Sequence, residues 1–507
     1  MVKKDLNALR DFLKKRPMLF CALFSCVISA IGMYAEMALF VICPLILGVI
    51  FMLVYKFQKG ELVFATMCIL AVAVSTFLTT VKIENTRDFD RTNCNGEFIV
   101  IEEPVDHGEY YSTTLETVSG DTLNKGEKIS VVYYEGKLEF PQRIKAELSV
   151  SSLDGYKFKN QYYSEKIFLN GYIKEFVDTG KSDEVLSVVG DVRKYIKSKI
   201  FKYYDFREGA TMMALVTGDR SYFTDEFYNN VKSAGVAHVM VVSGMHLSVM
   251  VALFLFLSNK FFYNRYLKAI TIFVVTVVLT AICGFTMSIL RAGITYLLLA
   301  IALIINREST PENTLGCAVS VILFSNPFAI FNIAFQLSVL STFAIIAVAL
   351  PVAEYVSKNG IIKNKILLSL FSAVLISISA LIFTAPVTVY FFGYLSNVSV
   401  VTNLLIGTPS SVAMILCVLG FLFPFAESLL FYLSEILVSY MNSVINYFGS
   451  LPFATTTLPE YTAFIFLAVI IIVLWILLAC KKRKSMLKLK AIREKKSKER
   501  SKKVKWR

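Results

Sequence analysis

The sequence predicts a polytopic α-helical membrane protein of about twelve spans with a small β-barrel, OB-like domain outside the membrane. Three observations lead to this fold class. Of the 507 residues, 56% are hydrophobic, which exceeds the usage of a typical soluble domain. Apolar runs near the length of a membrane helix recur along the chain. One long polar stretch with short alternating segments, typical of β-strands, interrupts them.

Twelve apolar runs are close to the length that crosses a bilayer. They lie at about 18–33, 37–55, 62–81, 237–258, 267–284, 286–305, 313–331, 334–354, 366–392, 397–425, 428–448 and 460–480. The run at 397–425 contains Gly407-Thr408-Pro409, so a broken helix or a re-entrant hairpin is one interpretation of it.

These runs divide the chain into five parts. They are an N-terminal three-span region (1–81), an external OB-like β domain (82–190), interfacial amphipathic helices (191–236), a domain of about nine spans (237–480) and a basic cytoplasmic tail (481–507).

Lysine and arginine predict the orientation of the spans. The N-terminal segment before the first run has six of them, and the tail from Lys481 to Arg507 has fifteen. The loops that alternate to the same side as the N-terminus carry Lys or Arg, whereas the short loops on the other side carry none. Because positive loops stay in the cytoplasm, we expect both termini inside and the β domain outside. The tail is expected to contact anionic lipid; a nucleic-acid arm is the alternative.

The insert at 82–190 predicts five or six antiparallel strands, the size of a five-stranded OB-type barrel. It has 20 acidic and 13 basic residues, which disfavours nucleic-acid binding by its whole surface. Four tyrosines permit either local stacking on bases or cross-strand packing. They are Tyr110, Tyr111, Tyr133 and Tyr134. The following segment, DVRKYIKSKIFKYYDF (191–206), predicts a helix with a basic face and an aromatic face. Such a helix lies in the membrane interface or attracts a polyanion.

Residues 236–250, VAHVMVVSGMHLSVM, place polar side chains inside a predicted span. Ser243 and His246 are three residues apart and His238 lies eight before His246, so on one helix they share a similar face. Polar groups in a span usually face a cavity or the bundle interior, and Gly244 permits a close backbone approach. Ser243 as a nucleophile with His246 as its base is an enzyme interpretation. No intramembrane carboxylate is spaced to complete a triad, so we expect no catalytic residue.

Arg291 lies in TMSILRAGITYLLLAIALII without a charged neighbour in the sequence. A guanidinium in a span must reach an anion, a carbonyl group or water. A polyphosphate strand, a carboxylate such as Asp219 or Glu226, and a structural role are all open. Further uncharged polar residues at or within spans are Asn332, Gln336, Asn397 and Asn403. Four aromatic residues suggest base stacking or an interfacial aromatic belt: Tyr390, Phe391, Phe392 and Tyr394.

Five segments in order resemble successive signatures of the ComEC-type competence proteins. They are LVTGDRS (215–221), AGVAHVMVVSGMHLSV (234–249), GFTMSILRAGI (284–294), NPFAIFNIAFQLSVLSTFAI (326–345) and FTAPVTVYFFGYLSNVSVVTNLL (383–405). The three leading runs and the β insert also match the N-terminal organisation of that family.

The resemblance implies a bacterial cytoplasmic-membrane channel that admits single-stranded DNA during natural transformation. The pore or substrate-path candidates are Asp219, Arg220, His238, Ser243, Gly244, His246, Arg291, Gln336 and Asn403. For Asp219 and Arg220 a helix-capping turn with a surface ion pair is the alternative. For His238, Ser243 and His246 the alternative is interhelical hydrogen bonding. A secondary transporter of another anion and a membrane scaffold of a DNA-uptake complex are the alternative functions.

The resemblance also implies partners. We expect single-stranded DNA, membrane lipid, a separate DNA receptor, a separate nuclease and a cytoplasmic helicase or motor. Longer family members end in a metallo-β-lactamase-like domain, whereas this sequence has three histidines and no HxHxDH motif. The nine cysteines form no CxxC pair, and no Walker motif occurs. We therefore expect no metal, no cofactor and no enzymatic activity in this chain.

Overall fold

The structure is a computed structural model that describes 89–473 with gaps at 137, 154, 157–158, 181–183, 241 and 260–263, and also 476, 18, 22, 25–26, 73–79, 81 and 83. Most of the three predicted N-terminal spans and the whole tail 481–507 lie outside the described residues. The chain divides into two compact units. One comprises 16–339 with 396–456, and the other comprises 1–15, 340–395 and 457–507.

The polar insert folds into a closed β-barrel. Its elements are β1 (Thr92–Val100), β2 (Val105–Asp106), β3 (Tyr111–Gly120), β4 (Lys128–Tyr133), β5 (Arg143–Ser152), the short helix α1 (Lys159–Ser164) and β6 (Ile167–Asp178). The strands pair in the order β1-β5-β6-β4-β3-β2, and an additional pairing of β1 with β3 closes a ring of five strands. The small β domain that the sequence predicts is therefore present.

One strand pair differs from the prediction. The sequence predicts antiparallel neighbours throughout, but β4 and β6 are parallel. The chain leaves β4, runs back along β5 and crosses through α1 before it enters β6. Parallel strands need such a crossover, and no local pattern within β4 or β6 reveals it.

Alternating side chains build the barrel core. In β4 every second residue is buried, and β5 shows a similar alternation. Phe98, Leu115 and Ile129 are fully buried in the same cluster. Gly96 lies where β1 pairs with both neighbours, and a Cβ there would be 2.5 Å from the carbonyl oxygen of Ser119. Only glycine permits this closure of the barrel.

Helices make up most of the remaining described chain. They are α2 (Glu184–Tyr203), α3 (Phe206–Val216), α4 (Asp225–Ser233), α5 (Gly244–Asn259), α6 (Arg265–Ile282), α7 (Met287–Ile304), α8 (Pro311–Ser325), α9 (Ile333–Ala344), α10 (Leu350–Lys358), α11 (Lys365–Phe392), α12 (Ser399–Leu422), α13 (Glu427–Gly449) and α14 (Thr462–Val473). Short 3-10 turns span Pro327–Phe331 and Pro424–Ala426, and two short strands, β7 (Tyr394–Ser396) and β8 (Thr455–Thr457), pair with each other.

Six helical segments of the described chain are long and apolar enough to cross a membrane. They are Arg265–Ile282, Met287–Ile304, Ile333–Lys358, Lys365–Phe392, Ser399–Leu422 and Pro424–Gly449. With the barrel, they make the chain a membrane protein with a small β domain. The total of about twelve spans stays a prediction.

Two predicted spans differ in detail. The helix in the run at 237–258 begins only at Gly244. The predicted interruption at Gly407-Thr408-Pro409 is wrong, because α12 is continuous through Pro409. The hydroxyls of Ser410 and Ser411 donate to the carbonyl oxygen of Gly407 at 2.9 and 3.0 Å.

Two large clusters of buried residues lie among the described helices of the larger unit. One joins α3 and α4 to α12 and α13 and includes Met212, Val231 and Val438. The other joins α5, α6 and α7 to α12 and includes Ile272 and Met414. Helix α12 therefore contributes to both cores.

In the other unit, α10 follows a π-helical turn at Ile345–Ala349. Pro351 has no N–H for the usual bond one turn back, and a π turn accommodates that loss.

Candidate functional site

The segment Thr217-Gly218-Asp219-Arg220 forms a turn after α3. Gly218 has a φ of +82°, and a Cβ there would lie 3.3 Å from a methyl group of Val242, so the turn requires glycine. The Asp219 carboxylate accepts from the backbone N–H and the hydroxyl of Ser221 at 2.9 and 2.7 Å. Arg220 is exposed, and its guanidinium lies 6.0 Å from the Tyr228 ring. The two adjacent charges thus use different partners and form no ion pair with each other.

Asp219 belongs to a group of four charged residues at the junction of the barrel and α2. Glu103 comes from the β1–β2 loop, and Arg193 and Lys197 come from α2. Burial raises the pKa of Glu103, and the nearby Asp219 carboxylate raises it further. Burial lowers the pKa of the Arg193 guanidinium, whereas Glu103 and Asp219 act in the opposite direction. Two carboxylates and two cations therefore share this junction.

Arg193 anchors α2 to both neighbouring parts of the chain. Its Nε donates to the carbonyl oxygen of Ile282 at 2.8 Å, at the C-terminus of α6, where the carbonyl groups lack helical partners. Its guanidinium also lies 4.8 Å from the centre of the Phe140 ring in the barrel. Lys199 pairs with Glu427 at 2.6 Å, at the start of α13. Lys194 pairs with Glu139 of the barrel at 3.4 Å, and the Lys197 ammonium lies 5.0 Å from the Tyr222 ring. Four of the five cations of the predicted basic face thus hold α2 against the barrel and the helices.

Ser243 and His246 cap the N-terminus of α5. The backbone N–H of Ser243 donates to Nδ1 of His246 at 3.0 Å, and the N–H of Met245 donates to the Ser243 hydroxyl at 3.3 Å. This reciprocal pattern is a capping box with histidine in the third helical position. His238 lies in the turn before the helix. The prediction that all three residues share one helical face is therefore wrong.

His238 and His246 have different environments. His246 is 2% exposed, and its Nε2 has no hydrogen-bond partner among the described residues. His238, in the turn before α5, is exposed.

Arg291 is buried beside the start of α5. It is 7% exposed, and its Nε donates to the hydroxyl of Ser338 in α9 at 2.8 Å. A Cβ on Gly244 would lie 3.1 Å from Nη2 of Arg291, so glycine gives the guanidinium its space. The Ser288 hydroxyl bonds that of Ser338 at 3.2 Å. Arg291, Ser338, Ser288 and Gly244 are called the arginine cluster below.

The arginine cluster contains no carboxylate. None of the salt bridges between described residues involves Arg291, so the expected alternative pairing with Asp219 or Glu226 is not formed. A buried guanidinium without an acidic partner among the described residues is unusual, because burying an unpaired charge is costly.

The amides near α9 have structural partners. Nδ2 of Asn332 donates to the Ser164 hydroxyl in α1 at 3.0 Å. Nδ2 of Asn326 donates to the Ser164 carbonyl oxygen at 2.6 Å. Nε2 of Gln336 donates to the carbonyl oxygen of Ile330 at 2.7 Å. The two asparagine contacts hold the barrel helix α1 on the segment before α9. Gln336 bonds the 3-10 turn Pro327–Phe331 instead.

Asn403 and the other late polar residues lie elsewhere. Asn403 is half-buried in α12, and its Oδ1 has no partner among the described residues. Nδ2 of Asn397 donates to Phe453 and Thr456. Tyr390 and Phe391 contact each other edge to face at 5.1 Å. The structure thus brings Ser243, Gly244, His246 and Arg291 to one helix start, and none of the hydrogen bonds between described residues joins Asn403 to them.

Several residues near this region make structural contacts that no sequence pattern predicts. Thr402 donates to the Ala234 carbonyl oxygen, and Ser396 donates to that of Ser233, both at 2.7 Å. Together they hold the turn after α4 against the start of α12. Gly235 permits this approach, since a Cβ there would lie 2.5 Å from Cβ of Ser399. Among the described residues, no group of three histidine, cysteine or acidic side chains is placed to hold a metal ion.

Comparisons with known proteins give a family and several relatives. A family model described as "Competence protein" matches residues 215–483, which is 269 of the 507 residues. The chain is 23% identical to ComE operon protein 3 of Bacillus subtilis over 289 residues, 55% of this chain and 35% of that protein. It is 29% identical to the uncharacterized protein MG316 homolog of Mycoplasma pneumoniae over 242 residues, 47% of this chain and 55% of that protein.

A third relative is the uncharacterized protein MG316 of Mycoplasma genitalium. The identity is 30% over 183 residues, which cover 36% of this chain and 43% of that protein. The chain therefore spans between about a third and just over half the length of these relatives. No solved structure matches it.

Proposed function

The chain belongs to the competence protein family, and on this basis we propose that it is a channel for single-stranded DNA across the bacterial cytoplasmic membrane in natural transformation. The matched region, 215–483, contains all nine residues of the predicted substrate path. The uptake of DNA, its single-stranded form and the route through the helices are parts of this proposal.

The arginine cluster is the observation that carries the proposal. Arg291 is buried and pairs with a serine hydroxyl rather than a carboxylate. Among the described residues no carboxylate pairs with this guanidinium, so in this proposal its positive charge is available to an anion that enters from outside the protein. A phosphodiester strand offers one negative charge per nucleotide and is bound well by a guanidinium. A single cation surrounded by hydroxyl groups attracts the strand without holding it in place.

Access to the region supports a route for the strand. His238 is exposed in the turn before α5, as a residue that lines a passage would be. Ser243 is half-buried at the start of α5. Neutral hydroxyl and imidazole groups donate and accept hydrogen bonds without adding a fixed charge. In this proposal Asp219 and Arg220 lie at the entrance of the route.

The proposed topology follows the charges of the loops. About twelve spans, both termini in the cytoplasm and the barrel outside satisfy the distribution of Lys and Arg. The pairing of β1 with both β3 and β5 supports an OB-like barrel. The proposed partners are single-stranded DNA, membrane lipid, a separate receptor, a separate nuclease and a cytoplasmic helicase or motor. No enzymatic step and no cofactor are assigned to this chain.

A transformation assay tests the proposal. Arg291→Ala is compared with the unchanged protein at matched membrane abundance. It is expected to lower the transformation frequency by at least tenfold, which corresponds to the loss of roughly 1.4 kcal/mol of interaction between the guanidinium and the passing strand. Arg265→Ala is the matched control, because Arg265 is exposed and contacts the neighbouring Tyr266. Arg265→Ala is expected to leave transformation unchanged.

The same assay separates the channel from a scaffold. A scaffold of an uptake complex needs the folded chain but not a cation in its interior. Normal transformation by Arg291→Ala in a normally abundant protein would therefore contradict the channel and favour the scaffold.

A further inference from the structure

Four aromatic rings form an exposed row on the barrel. His107 and Tyr110 are stacked with ring centres 4.7 Å apart, Tyr110 and Tyr134 are 6.3 Å apart, and Tyr134 and Tyr172 are 5.7 Å apart. Tyr134 is 57% exposed and Tyr172 is 42% exposed. The row, His107–Tyr110–Tyr134–Tyr172, is called the aromatic row below. Tyr172 lies within β6, Tyr134 directly follows β4, and the other two rings lie in the β2–β3 loop. Large aromatic rings left in water side by side mark a surface that receives a partner.

The aromatic row is held in place before any partner arrives. The N–H of His107 donates to the carbonyl oxygen of Tyr110 at 2.9 Å, and Nε2 of His107 lies 2.9 Å from the Ser112 hydroxyl. The Asp106 carboxylate accepts from the N–H of Gly108 at 2.7 Å. Tyr172 lies within β6, opposite Val132. A surface that is already ordered loses little conformational entropy on binding.

The charge around the aromatic row disfavours a nucleic acid. Between Thr92 and Asn124 the chain has seven acidic residues and no lysine or arginine. Asp106 and Glu109 flank the first two rings, and Glu135 follows Tyr134. Lys174 also faces outward two residues after Tyr172, but its ammonium is paired with Glu147 at 2.7 Å. Phosphate groups gain affinity from cations, and beside the first three rings they would meet carboxylates.

The same chemistry favours a sugar chain. One face of a pyranose ring presents C–H groups that pack flat on an aromatic ring, and its hydroxyl groups donate to carboxylates in charge-assisted hydrogen bonds. Five-stranded barrels of the OB type bind oligosaccharides as well as oligonucleotides. We infer that the aromatic row is a binding site for an uncharged, hydroxyl-rich sugar chain. This site is separate from the arginine cluster and does not depend on the proposed channel.

Titration of the full chain with chitohexaose, an uncharged hexasaccharide, tests the inference. The protein is solubilised in a detergent without a sugar headgroup, such as lauryldimethylamine oxide, so that the micelle does not compete. Saturable binding is expected by calorimetry. Tyr134→Ala and Tyr172→Ala are each expected to weaken it by about tenfold, and Tyr134→Phe, which keeps the ring, is expected to retain it.

Two further variants complete the design. Val177→Ala is the control, because Val177 is a 69% exposed apolar residue of β6 outside the aromatic row, and it is expected to bind normally. The double variant Glu109→Gln with Glu135→Gln keeps the rings and removes two carboxylates. It is expected to bind chitohexaose several-fold more weakly.

A twelve-nucleotide oligothymidylate at low salt is the competing probe. The inference is overturned if the oligonucleotide binds and the two tyrosine-to-alanine variants lose that binding, because the row is then a nucleic-acid surface. It is also overturned if chitohexaose does not bind, or if its binding is the same in all folded variants. Thermal unfolding of each variant shows that the barrel is intact.

Discussion

The backbone N–H of Ser243 donates to Nδ1 of His246 at 3.0 Å. Because Nδ1 accepts this bond, the neutral imidazole carries its proton on Nε2. The two residues are thus joined as a helix cap at the start of α5, and the Nε2–H group points into the protein interior. The arrangement ties the polar residues of the motif to the place where Gly244 meets Arg291.

Loss of this cap should destabilise the protein. His246→Ala removes the acceptor for the Ser243 N–H and is expected to lower the free energy of unfolding by about 1 kcal/mol or more. His246→Gln restores an acceptor in the capping-box position and is expected to recover most of the loss. Thermal unfolding in detergent measures both variants. An equal shift for alanine and glutamine would contradict the capping role.

The asparagines before α9 are expected to hold the barrel helix. Asn332→Ala removes the bond to the Ser164 hydroxyl and the bond from the Phe335 N–H to Oδ1. Because these groups are buried, the expected loss is roughly 1–3 kcal/mol in the free energy of unfolding. Asn359→Ala is the control, since Asn359 is exposed and bonds only within its own helix end. Similar unfolding temperatures for the two variants would refute the docking role.

Gly235 tests the close packing of the turn after α4. In Gly235→Ala the new Cβ would lie 2.5 Å from Cβ of Ser399, and the alanine would have to adopt a φ of +73°. Gly360→Ala is the matched control, because Gly360 has a φ of +62° but open space around it. The control is expected to cost about 1 kcal/mol for the backbone alone. Gly235→Ala is expected to cost considerably more and to reduce the amount of folded protein in the membrane.

Because of Glu165, the free energy of unfolding is expected to depend on pH. Part of its side chain is exposed, but the protein around the carboxyl group raises its pKa to about 7, with Glu102 as a further cause. The amides of Gln161 and Asn332 and the cation Lys128 oppose this rise. Because the folded state holds the proton more tightly than the unfolded state, stability should fall as the pH rises from about 4.5 to 7 and then level off.

Glu165→Gln should remove this slope. The expected change is small, since water screens a partly exposed carboxylate. Unfolding temperatures of the two proteins at pH 5 and pH 8 are compared. A larger decrease with pH in Glu165→Gln than in the unchanged protein would show that the sign is wrong.

The sequence predicts the spans well where hydrophobicity alone decides them. The run at 267–284 corresponds to α6, and the run at 428–448 corresponds to α13. The apolar pattern predicts a start of α5 that is too early, because the residues before Gly244 are as apolar as the helix itself. Histidine is also not a usual member of a capping box, so the boundary signal was missed.

The partners of the site residues were not predictable. Arg291 donates a hydrogen bond to Ser338, which is 47 residues away in the sequence. Asn332 donates one to Ser164, which is 168 residues away. Such pairs depend on how elements far apart in the chain pack together, which neither spacing nor composition encodes. The parallel pairing of β4 with β6 was missed for the same reason. The local pattern identified polar residues that need partners, and the packing determined which partners they obtained.

Photo-crosslinking during DNA uptake tests the proposed route most directly. A photoreactive amino acid replaces Met245, which is 37% exposed beside Gly244, or Phe273, which is 54% exposed on α6. Radiolabelled DNA is then supplied to cells that carry either variant. The proposed channel predicts a crosslink to the strand from position 245 and none from position 273. Normal uptake without a crosslink at position 245, or equal crosslinking at both positions, would contradict a passage beside the arginine cluster.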